Sequence, residues 1–337
     1  MVDLRTAGSE PGRQEVSKMR VLLAYDGSAC ADAARDLLAR LPLPEGSAIS
    51  VVTVLARGPE LYGAPEYTAV PLGPAESESV LAADLQEMLN QAAAPLRAAG
   101  RRVDTRVVRG RPASAILEEA EAIRPDLIVV GSRGHGPLAT MVLGSVSTEI
   151  VDHAPCPVLV ARHPVVRRAV VAVDGSTSAE RAVAVLRRWP VLAGIPTRVV
   201  MVGPLADQLP TAAASPLWPS RPLIEQPDVD RARERLMAAG RWAADELLAA
   251  GMPARMDLRD GDPAHEIIKA AEGEGADLIV VGSRGLSALP RLVLGSVARK
   301  VLLHAPQSVL VVRPVRERAE GREQVRAPAM ALGALGA

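Results

Sequence analysis

The chain has 337 residues, which is long for one hydrophobic core and suits two domains of roughly 150 residues each. Its apolar content of 48% is that of a globular protein, and its formal net charge of zero argues against a general nucleic-acid binder or a protein of anionic membrane surfaces. No run approaches the roughly 20 apolar residues of a membrane span, and Met1 to Lys18 contain no apolar core of signal-peptide length, so we expect a cytoplasmic protein.

The first half of the chain alternates predicted strands and helices. Residues 1–17 are polar, with Gly, Pro and mixed charges, which is typical of a disordered tail. Strands are then predicted at residues 19–25, 48–55, 103–109, 126–130 and 156–161, with helices at 29–41, 77–99, 112–123 and from 146. Asp26-Gly-Ser ends the first strand, and residues 57–76, which contain several Pro and Gly, are predicted to form a long loop.

The second half repeats the same order of elements, which indicates a tandem duplication. The Asp26-Gly-Ser turn returns as Asp174-Gly-Ser, and the His153-Ala-Pro turn before the last strand returns as His304-Ala-Pro. A second Pro-rich loop is predicted at residues 203–229. We therefore predict two domains joined by a short linker and followed by a disordered tail, with the boundaries 18–163, 164–167, 168–314 and 315–337.

Strands that alternate with helices predict an α/β fold. In each half the helices would connect parallel strands by right-handed crossovers and cover both faces of the sheet, which makes each half a doubly wound domain. Ligands of such sheets bind beyond the carboxyl ends of the strands, at the point where the strand order reverses. If the first and fourth strands are neighbours, Asp26 or Asp174 and the loop after the fourth strand line one crevice.

A spaced glycine pattern follows the fourth strand in both halves and indicates an anion site. The two patterns are Gly131-x2-Gly134-x9-Gly144-Ser145 and Gly282-x2-Gly285-x9-Gly295-Ser296. Glycine lets a ligand approach the backbone closely, and N–H groups at a helix start bind phosphate. The alternative is a tight turn that binds nothing, but a long pattern that occurs twice favours the anion site. The serines would either cap the following helix or turn the hydroxyl towards a phosphate.

These glycine patterns, together with the Asp-Gly-Ser and His-Ala-Pro turns, resemble those of the universal stress protein family. The resemblance covers residues 18–163 and 167–314. It implies a five-stranded parallel sheet of order 3-2-1-4-5 in each half, of the adenine-nucleotide-binding type. It also implies that the chain binds ATP, often with Mg²⁺, and that the last strands, around residues 158–161 and 309–312, pair in an internal pseudo-dimer. Whether two chains form a further homodimer is left open.

Carried onto this sequence, the resemblance implies one nucleotide site in each half. Asp26 and Asp174 would contact the adenosine, and the backbone of Val54 and Val202 would meet the edge of the adenine. The ribose and phosphates would be held by the pattern residues, which are Gly131, Gly134, Gly144 and Ser145 in the first half and Gly282, Gly285, Gly295 and Ser296 in the second.

Four further residues bear on these sites. Arg133 and Arg284, inside the glycine patterns, are open between phosphate contact and solvation. Pro290 has no N–H to donate, which would alter the second site. Tyr25 stands where the family usually has a small aliphatic residue, so it would crowd the first site.

The sequence offers no arrangement of side chains that predicts fast catalysis. It has no repeated Ser-His-Asp set and no Gly-x4-Gly-Lys loop, whose lysine is usual in phosphoryl transfer. His153 and His304 are predicted to be structural, and no cluster of Cys and His predicts a metal site on protein side chains. We expect an ATP-binding module in stress response or signalling, read by an unidentified protein partner. The alternatives are a slow ATPase or autophosphorylating protein, and a scaffold that binds no nucleotide.

Overall fold

The structure is a computed structural model that describes residues 18–56, 74–134, 143–203, 226–285 and 294–313. The two predicted tails, most of the two Pro-rich loops and the middle of both glycine patterns, including Pro290, lie outside these residues. Within the described ranges, strands and helices alternate in both halves, as the pattern of apolar residues predicts.

Both halves have the same order of elements. The first half contains β1 (Arg20–Ala24), α1 (Ala29–Arg40), β2 (Ala48–Leu55), α2 (Pro74–Ala98), β3 (Arg102–Arg109), α3 (Pro112–Ile123), β4 (Leu127–Gly131), α4 (Ser145–His153) and β5 (Val158–Ala161). The second half contains β6 (Ala169–Ala172), α5 (Thr177–Arg188), β7 (Thr197–Gly203), α6 (Gln226–Ala249), β8 (Ala254–Asp260), α7 (Pro263–Glu274), β9 (Leu278–Gly282), α8 (Ser296–His304) and β10 (Ser308–Val312).

The two long helices begin earlier than the sequence analysis places them. Helix α2 begins at Pro74, inside the predicted loop at 57–76, and α6 begins at Gln226, inside the predicted loop at 203–229. Proline is tolerated in the first turn of a helix, where its missing N–H would have no partner, so Pro74 is compatible with a helix start.

The described strands form one sheet in the order β3-β2-β1-β4-β5-β10-β9-β6-β7-β8. Within each half the strands are parallel and follow the predicted order 3-2-1-4-5. The first strand lies between the second and the fourth, since β1 pairs with β2 and β4, and β6 pairs with β7 and β9. The predicted doubly wound fold is confirmed, and its switch point lies where β1 meets β4 and β6 meets β9.

The two half-sheets join through their last strands. Strands β5 and β10 pair antiparallel, with Leu159 opposite Leu310 at the centre of the register, and both leucines are buried. The hydroxyl oxygen of Ser308 accepts the backbone N–H of Arg162 from the other half (3.0 Å). The predicted internal pseudo-dimer is therefore confirmed, and it forms a continuous sheet.

The core is aliphatic on both faces of the sheet. Along β1, Val21 and Leu23 face the cluster that contains α1 and α2, whereas Leu22 faces the cluster that contains α3 and α4. Each cluster continues from one half into the other because the sheet is continuous. None of the helices in the described part of the chain is both long and apolar enough to span a membrane.

Candidate functional site

The Asp-Gly-Ser turn at the end of β1 is held by two hydrogen bonds, which recur after β6. Oδ1 of Asp26 accepts the N–H of Ser28 (3.0 Å), and the hydroxyl oxygen of Ser28 accepts the N–H of Ala31 (3.2 Å). Ser28 is therefore the N-cap of α1. In the second half Asp174 and Ser176 make the matching bonds, at 2.9 and 3.2 Å. The turn thus fixes one carboxylate at the carboxyl edge of each half-sheet.

The carboxylate of each turn lies directly against the glycine loop. A methyl carbon added to Gly134 would lie 2.4 Å from Oδ2 of Asp26, and one added to Gly285 would lie 2.9 Å from Oδ2 of Asp174. Both distances are too short for a carbon and an oxygen, so a side chain at either position would displace the carboxylate. The predicted meeting of the aspartate and the glycine loop is confirmed, whereas their contact with a ligand stays a prediction.

The first glycine of each pattern allows close helix packing, independently of any ligand. A methyl carbon on Gly131 would lie 2.7 Å from the carbonyl carbon of Cys30, in the first turn of α1. Gly282 stands in the same relation to Ser178 of α5, again at 2.7 Å. These glycines let the helix after the first strand pack closely onto the fourth strand. Gly131 and Gly282 are therefore explained by helix packing and are not by themselves evidence for a ligand site.

The last glycine of each pattern closes its loop. The N–H of Gly144 donates to the carbonyl oxygen of Ser132 (2.9 Å), and the N–H of Gly295 donates to that of Ser283 (2.8 Å). Gly144 and Gly295 occupy the N-cap positions of α4 and α8, without a side-chain hydrogen bond. Helix α4 and helix α8 therefore begin at the glycine loop of their own half.

Of the two roles left open for Ser145 and Ser296, the structure excludes N-capping. Both serines are the first helical residues, and both are exposed. The N-cap glycines lie close to the preceding part of the loop: a methyl carbon on Gly144 would lie 3.4 Å from Cα of Arg133, and one on Gly295 would lie 3.2 Å from Cα of Arg284. Since no side chain caps the first turn, its amide groups and the serine hydroxyls remain suited to an anion.

Two arginines in each half interact through their like charges. They are Arg133 and Arg162 in the first half, and Arg284 and Arg313 in the second. The carbonyl oxygen of Arg133 accepts the hydroxyl of Ser28 (3.2 Å), and the Arg133 side chain is exposed. Burial, and after it the like charge of Arg133, lowers the pKa of Arg162 to about 10. In the second half burial likewise lowers the pKa of Arg313, with Arg284 acting in the same direction. An anion bound at either loop would offset this repulsion.

Comparison with known proteins places these features in a family. A model of the universal stress protein family matches the chain twice, at residues 19–162 and 166–313. The chain belongs to the universal stress protein family. It is 26% identical over 309 residues to a universal stress protein of Mycolicibacterium smegmatis, covering 89% of this chain and 99% of the relative. It is 37% identical over 143 residues to one of Thermus aquaticus, covering 42% of this chain and 97% of the relative.

Solved structures support the tandem arrangement of this universal stress protein. A universal stress protein from Archaeoglobus fulgidus superposes with a TM-score of 0.60 at 22% identity, covering 89% of this chain and 99% of that one. A second, described as a putative universal stress protein from Pseudomonas aeruginosa, superposes with a TM-score of 0.57 at 17% identity, over 89% and 95% of the two chains. At these identities the likeness concerns the fold alone.

The second half of this universal stress protein contains a cavity of about 820 Å³ at the carboxyl ends of β6, β7 and β9. Its size suits a small-molecule site, for which about 300–1,000 Å³ is usual. The structure brings every residue predicted for the second site into its wall, namely Asp174, Val202, Gly282, Arg284, Gly285, Gly295 and Ser296. The corresponding backbone position in the first half, Val54, is the next-to-last residue of β2.

The sequence analysis missed the walls that α6 and α7 supply. Leu236, Ala239 and Trp242 of α6 line the cavity, as do Pro263 and Ile267 of α7. The three α6 residues recur at intervals of three, which is typical of one helix face. That spacing could have grouped them, but it could not place them over the cavity, because their position depends on how α6 packs on β7.

Tyr25 has a defined place in the first half. Its side chain is buried, and its hydroxyl donates to Oδ1 of Asp32 on α1 (2.7 Å). The matching residues of the second half, Val173 and Glu180, both line the cavity. Tyr25 and Asp32 therefore occupy the positions of the first half that correspond to two residues of the cavity wall in the second half. A larger side chain at the position of Val173 is consistent with the expectation that Tyr25 crowds the first site. Its effect on ligand binding stays a prediction.

His153, which the sequence analysis predicts to be structural, is hydrogen-bonded to the backbone. Nδ1 of His153 lies 2.9 Å from the carbonyl oxygen of Glu149, which confirms a histidine satisfied by the backbone. Cys30 and Cys156 are both thiols without a disulfide partner. Among the described residues, no group of His, Cys, Asp and Glu is arranged to hold a metal ion.

Proposed function

We propose that this universal stress protein is a cytoplasmic ATP-binding module with one site in each half. The observation that carries the proposal is the contact between the aspartate and the glycine loop, in which Gly134 leaves room for Asp26 and Gly285 leaves room for Asp174. The same contact occurs at two points of one chain, and each time the carboxylate lies against a glycine loop that leads into a helix. That combination suits a nucleoside that carries phosphates.

In the proposed binding mode, different parts of the site hold the phosphates and the nucleoside. The amide groups at the start of α4 and α8, with the hydroxyls of Ser145 and Ser296, would hold the phosphates. Arg133 and Arg284 would supply positive charge beside them. The carboxylate of the Asp-Gly-Ser turn would accept a hydrogen bond from the sugar or base, and the backbone at the end of β2 or β7 would meet the base edge.

Mg²⁺ fits this site as an ion held chiefly by the phosphates. Magnesium in nucleotide sites usually keeps several waters and takes only one or two protein ligands. The described residues contain no ready-made cluster of carboxylates, and the exposed serine hydroxyls at the helix starts are compatible ligands. The metal would shield the phosphate charge, while this chain's own residues position the nucleotide.

We further propose that nucleotide binding, without fast hydrolysis, is what a protein partner reads. The described part of the site offers backbone amides, hydroxyls and arginines, but the lysine that usually accompanies fast phosphoryl transfer has no counterpart in either glycine pattern. A turnover above about 1 per second, an ordinary enzyme rate, would contradict this part of the proposal.

A slow ATPase or autophosphorylating protein is the second candidate. It is favoured by the exposed hydroxyls of Ser145 and Ser296, which stand at the first position of α4 and α8. Loss of phosphate release in the Ser145→Ala and Ser296→Ala variants, with ATP binding retained, would support it.

Thermal unfolding with and without ATP and Mg²⁺ tests the proposed function. A ligand that binds only the folded chain raises Tm in proportion to the logarithm of its concentration. We expect such a rise in the native chain and its loss in the double variant Gly134→Ala and Gly285→Ala, whose added methyl groups displace both carboxylates. A Tm that does not respond to ATP in the native chain would remove nucleotide from the account and leave a scaffold.

A further inference from the structure

Part of the wall of the cavity in the second half is formed by α5 and α6, and this part of the cavity is called the arm. Ala179 and Glu180 of α5 line this arm, together with Ala239 and Trp242 of α6. The Asp-Gly-Ser turn separates the arm from the glycine loop. Its Gly175 faces α6, where a methyl carbon would lie 3.7 Å from Cβ of Ala239, whereas its aspartate faces Gly285.

At two positions of this cavity wall, those of Val173 and Ala239, the first half has larger side chains. Tyr25 takes the place of Val173, since both donate their backbone N–H to the second strand, at Val52 and Val200 (both 2.9 Å). The hydroxyl of Tyr25 then bonds Asp32, which takes the place of Glu180. In the first half a phenol therefore occupies a wall position that a valine leaves open in the second.

The same difference recurs on the long helix. The turns that end α2 and α6 match, since Arg101 bonds the carbonyl oxygen of Leu96 (3.1 Å) and Met252 bonds that of Leu247 (2.9 Å). This register places Met88 of α2 where α6 has Ala239. Met88 packs against the core of the first half. Two independent replacements by smaller residues therefore open the arm in the second half.

The arm has the chemistry of a site for a flat ring. Its walls are the methyl groups of Ala179 and Ala239 and the indole of Trp242, which is 40% exposed although most large apolar side chains of this chain are buried. An exposed tryptophan beside small residues offers a slot in which an aromatic ring can stack. Glu180 and Arg235 also line the cavity, and both are exposed.

We propose that this arm is a subsite for a flat aromatic group of a small molecule, with Trp242 as its stacking wall. The subsite lies on the α6 side of the Asp-Gly-Ser turn, away from the glycine loop, and in the described part of the first half Tyr25 and Met88 occupy the corresponding wall positions. The proposal goes beyond the proposed function, because it rests on the walls of the arm and needs no nucleotide. It makes the two halves of the chain unequal in what they bind.

The test uses the full chain and N-phenyl-naphthylamine, a neutral aromatic probe whose emission rises in apolar surroundings. The variants are Trp242→Leu, which removes the stacking wall, and Ala239→Met, which fills the arm as Met88 fills the first half. Trp242→Phe keeps an aromatic wall. The matched control is Gln91→Leu, at the position of the first half that corresponds to Trp242. Circular dichroism on each variant verifies the fold.

We expect the Trp242→Leu and Ala239→Met variants to bind the probe about three- to tenfold more weakly, in line with the usual strength of an aromatic contact. Trp242→Phe should restore most of the affinity, and Gln91→Leu should not change it. Affinity that is equal in the native chain and both arm variants would overturn the proposal, because the probe then binds elsewhere.

A second titration, in saturating ATP and Mg²⁺, separates the arm from the nucleotide position. Retained probe binding supports a distinct subsite, and complete displacement by ATP overturns it. A chain that binds the probe at the arm but gives no heat with ATP would contradict the proposed function and leave the subsite standing. If ATP binds but the arm variants do not change the affinity for the probe, the subsite is overturned and the proposed function stands.

Discussion

The guanidinium group of Arg162 donates to the carbonyl oxygen of Leu302 (2.6 Å), so the end of the first half holds the last turn of α8 in the second. It also donates to the carbonyl oxygen of Gln307 (3.0 Å). Arg313 makes the reciprocal contact, donating to Val151 in the last turn of α4 (2.6 Å). Because α4 and α8 begin at the glycine loops, each proposed site stands on a helix whose far end is bonded to the other half.

Removing this contact should weaken the junction between the halves. We expect Arg162→Ala to lower the free energy of unfolding by about 2–3 kcal/mol, because a charged donor is lost and two carbonyl groups lose their partner. Urea denaturation measures the change. The control is Arg168→Ala, which removes an exposed arginine that donates to Glu274 (2.8 Å) within one half and should cost less than about 0.5 kcal/mol. Equal losses in the two variants would contradict this role of Arg162.

The first glycines of the two patterns should matter for stability in the absence of any ligand. We expect Gly131→Ala and Gly282→Ala each to cost about 1–3 kcal/mol, since the added carbon meets main-chain atoms of α1 or α5 that cannot turn away. Gly273→Ala is the control. It lies in α7 with nothing within 4 Å of the added carbon, so it should stabilise the chain by about 0.5–1 kcal/mol. Neutral results at Gly131 and Gly282 would mean that α1 and α5 can move.

Tyr25 should titrate far above its ordinary range. Burial, and then the hydrogen bond and charge of Asp32, raise the pKa of Tyr25 to about 12. The stability that comes from the neutral phenol is therefore present below about pH 10, the usual tyrosine pKa, and is lost as the pH rises towards 12. Absorbance of the phenolate, compared between the native chain and Tyr25→Phe, isolates this group.

The Asp32→Asn variant tests the cause of that shift. We expect it to lower the pKa of Tyr25 towards the usual value, because the negative charge that opposes phenolate formation is removed. Burial is the larger cause and remains, so the pKa should stay above its usual value. An unchanged titration curve would mean that the bond between Tyr25 and Asp32 does not persist in solution.

The order of strands and helices could be predicted from the sequence because it occurs twice in the chain. Asp26 and Asp174 follow matching strands, and the glycine patterns follow another matching pair, so the duplication could be predicted from the residues. The strand order came from the resemblance to the universal stress protein family, and the shared crevice was predicted on the condition that the first and fourth strands are neighbours. The loop ends could not be predicted as well, since Pro74 is compatible with both a loop and a first helical turn. The N-caps of α4 and α8 were left open in the sequence analysis, because serine is a commoner cap than the glycine that precedes it in both patterns.

Long-range packing is what the sequence could not supply. In the second half Gly240 leaves room for Met201, and a methyl carbon on Gly240 would lie 1.8 Å from its sulfur, whereas the matching residues of the first half are Leu89 and Thr53. Such paired differences between a helix and the strand beneath it depend on contacts across the fold, and a local pattern does not reveal them. For the same reason the place of Trp242 in the cavity wall emerged only from the structure.

A calorimetric titration with ATP and Mg²⁺ tests the central claim most directly. It compares the native chain with the Gly134→Ala and Gly285→Ala variants, in which a methyl group meets the carboxylate of Asp26 or Asp174. The account predicts two ATP per native chain and one in each variant. No heat of binding in the native chain, or a stoichiometry that neither variant changes, would contradict it.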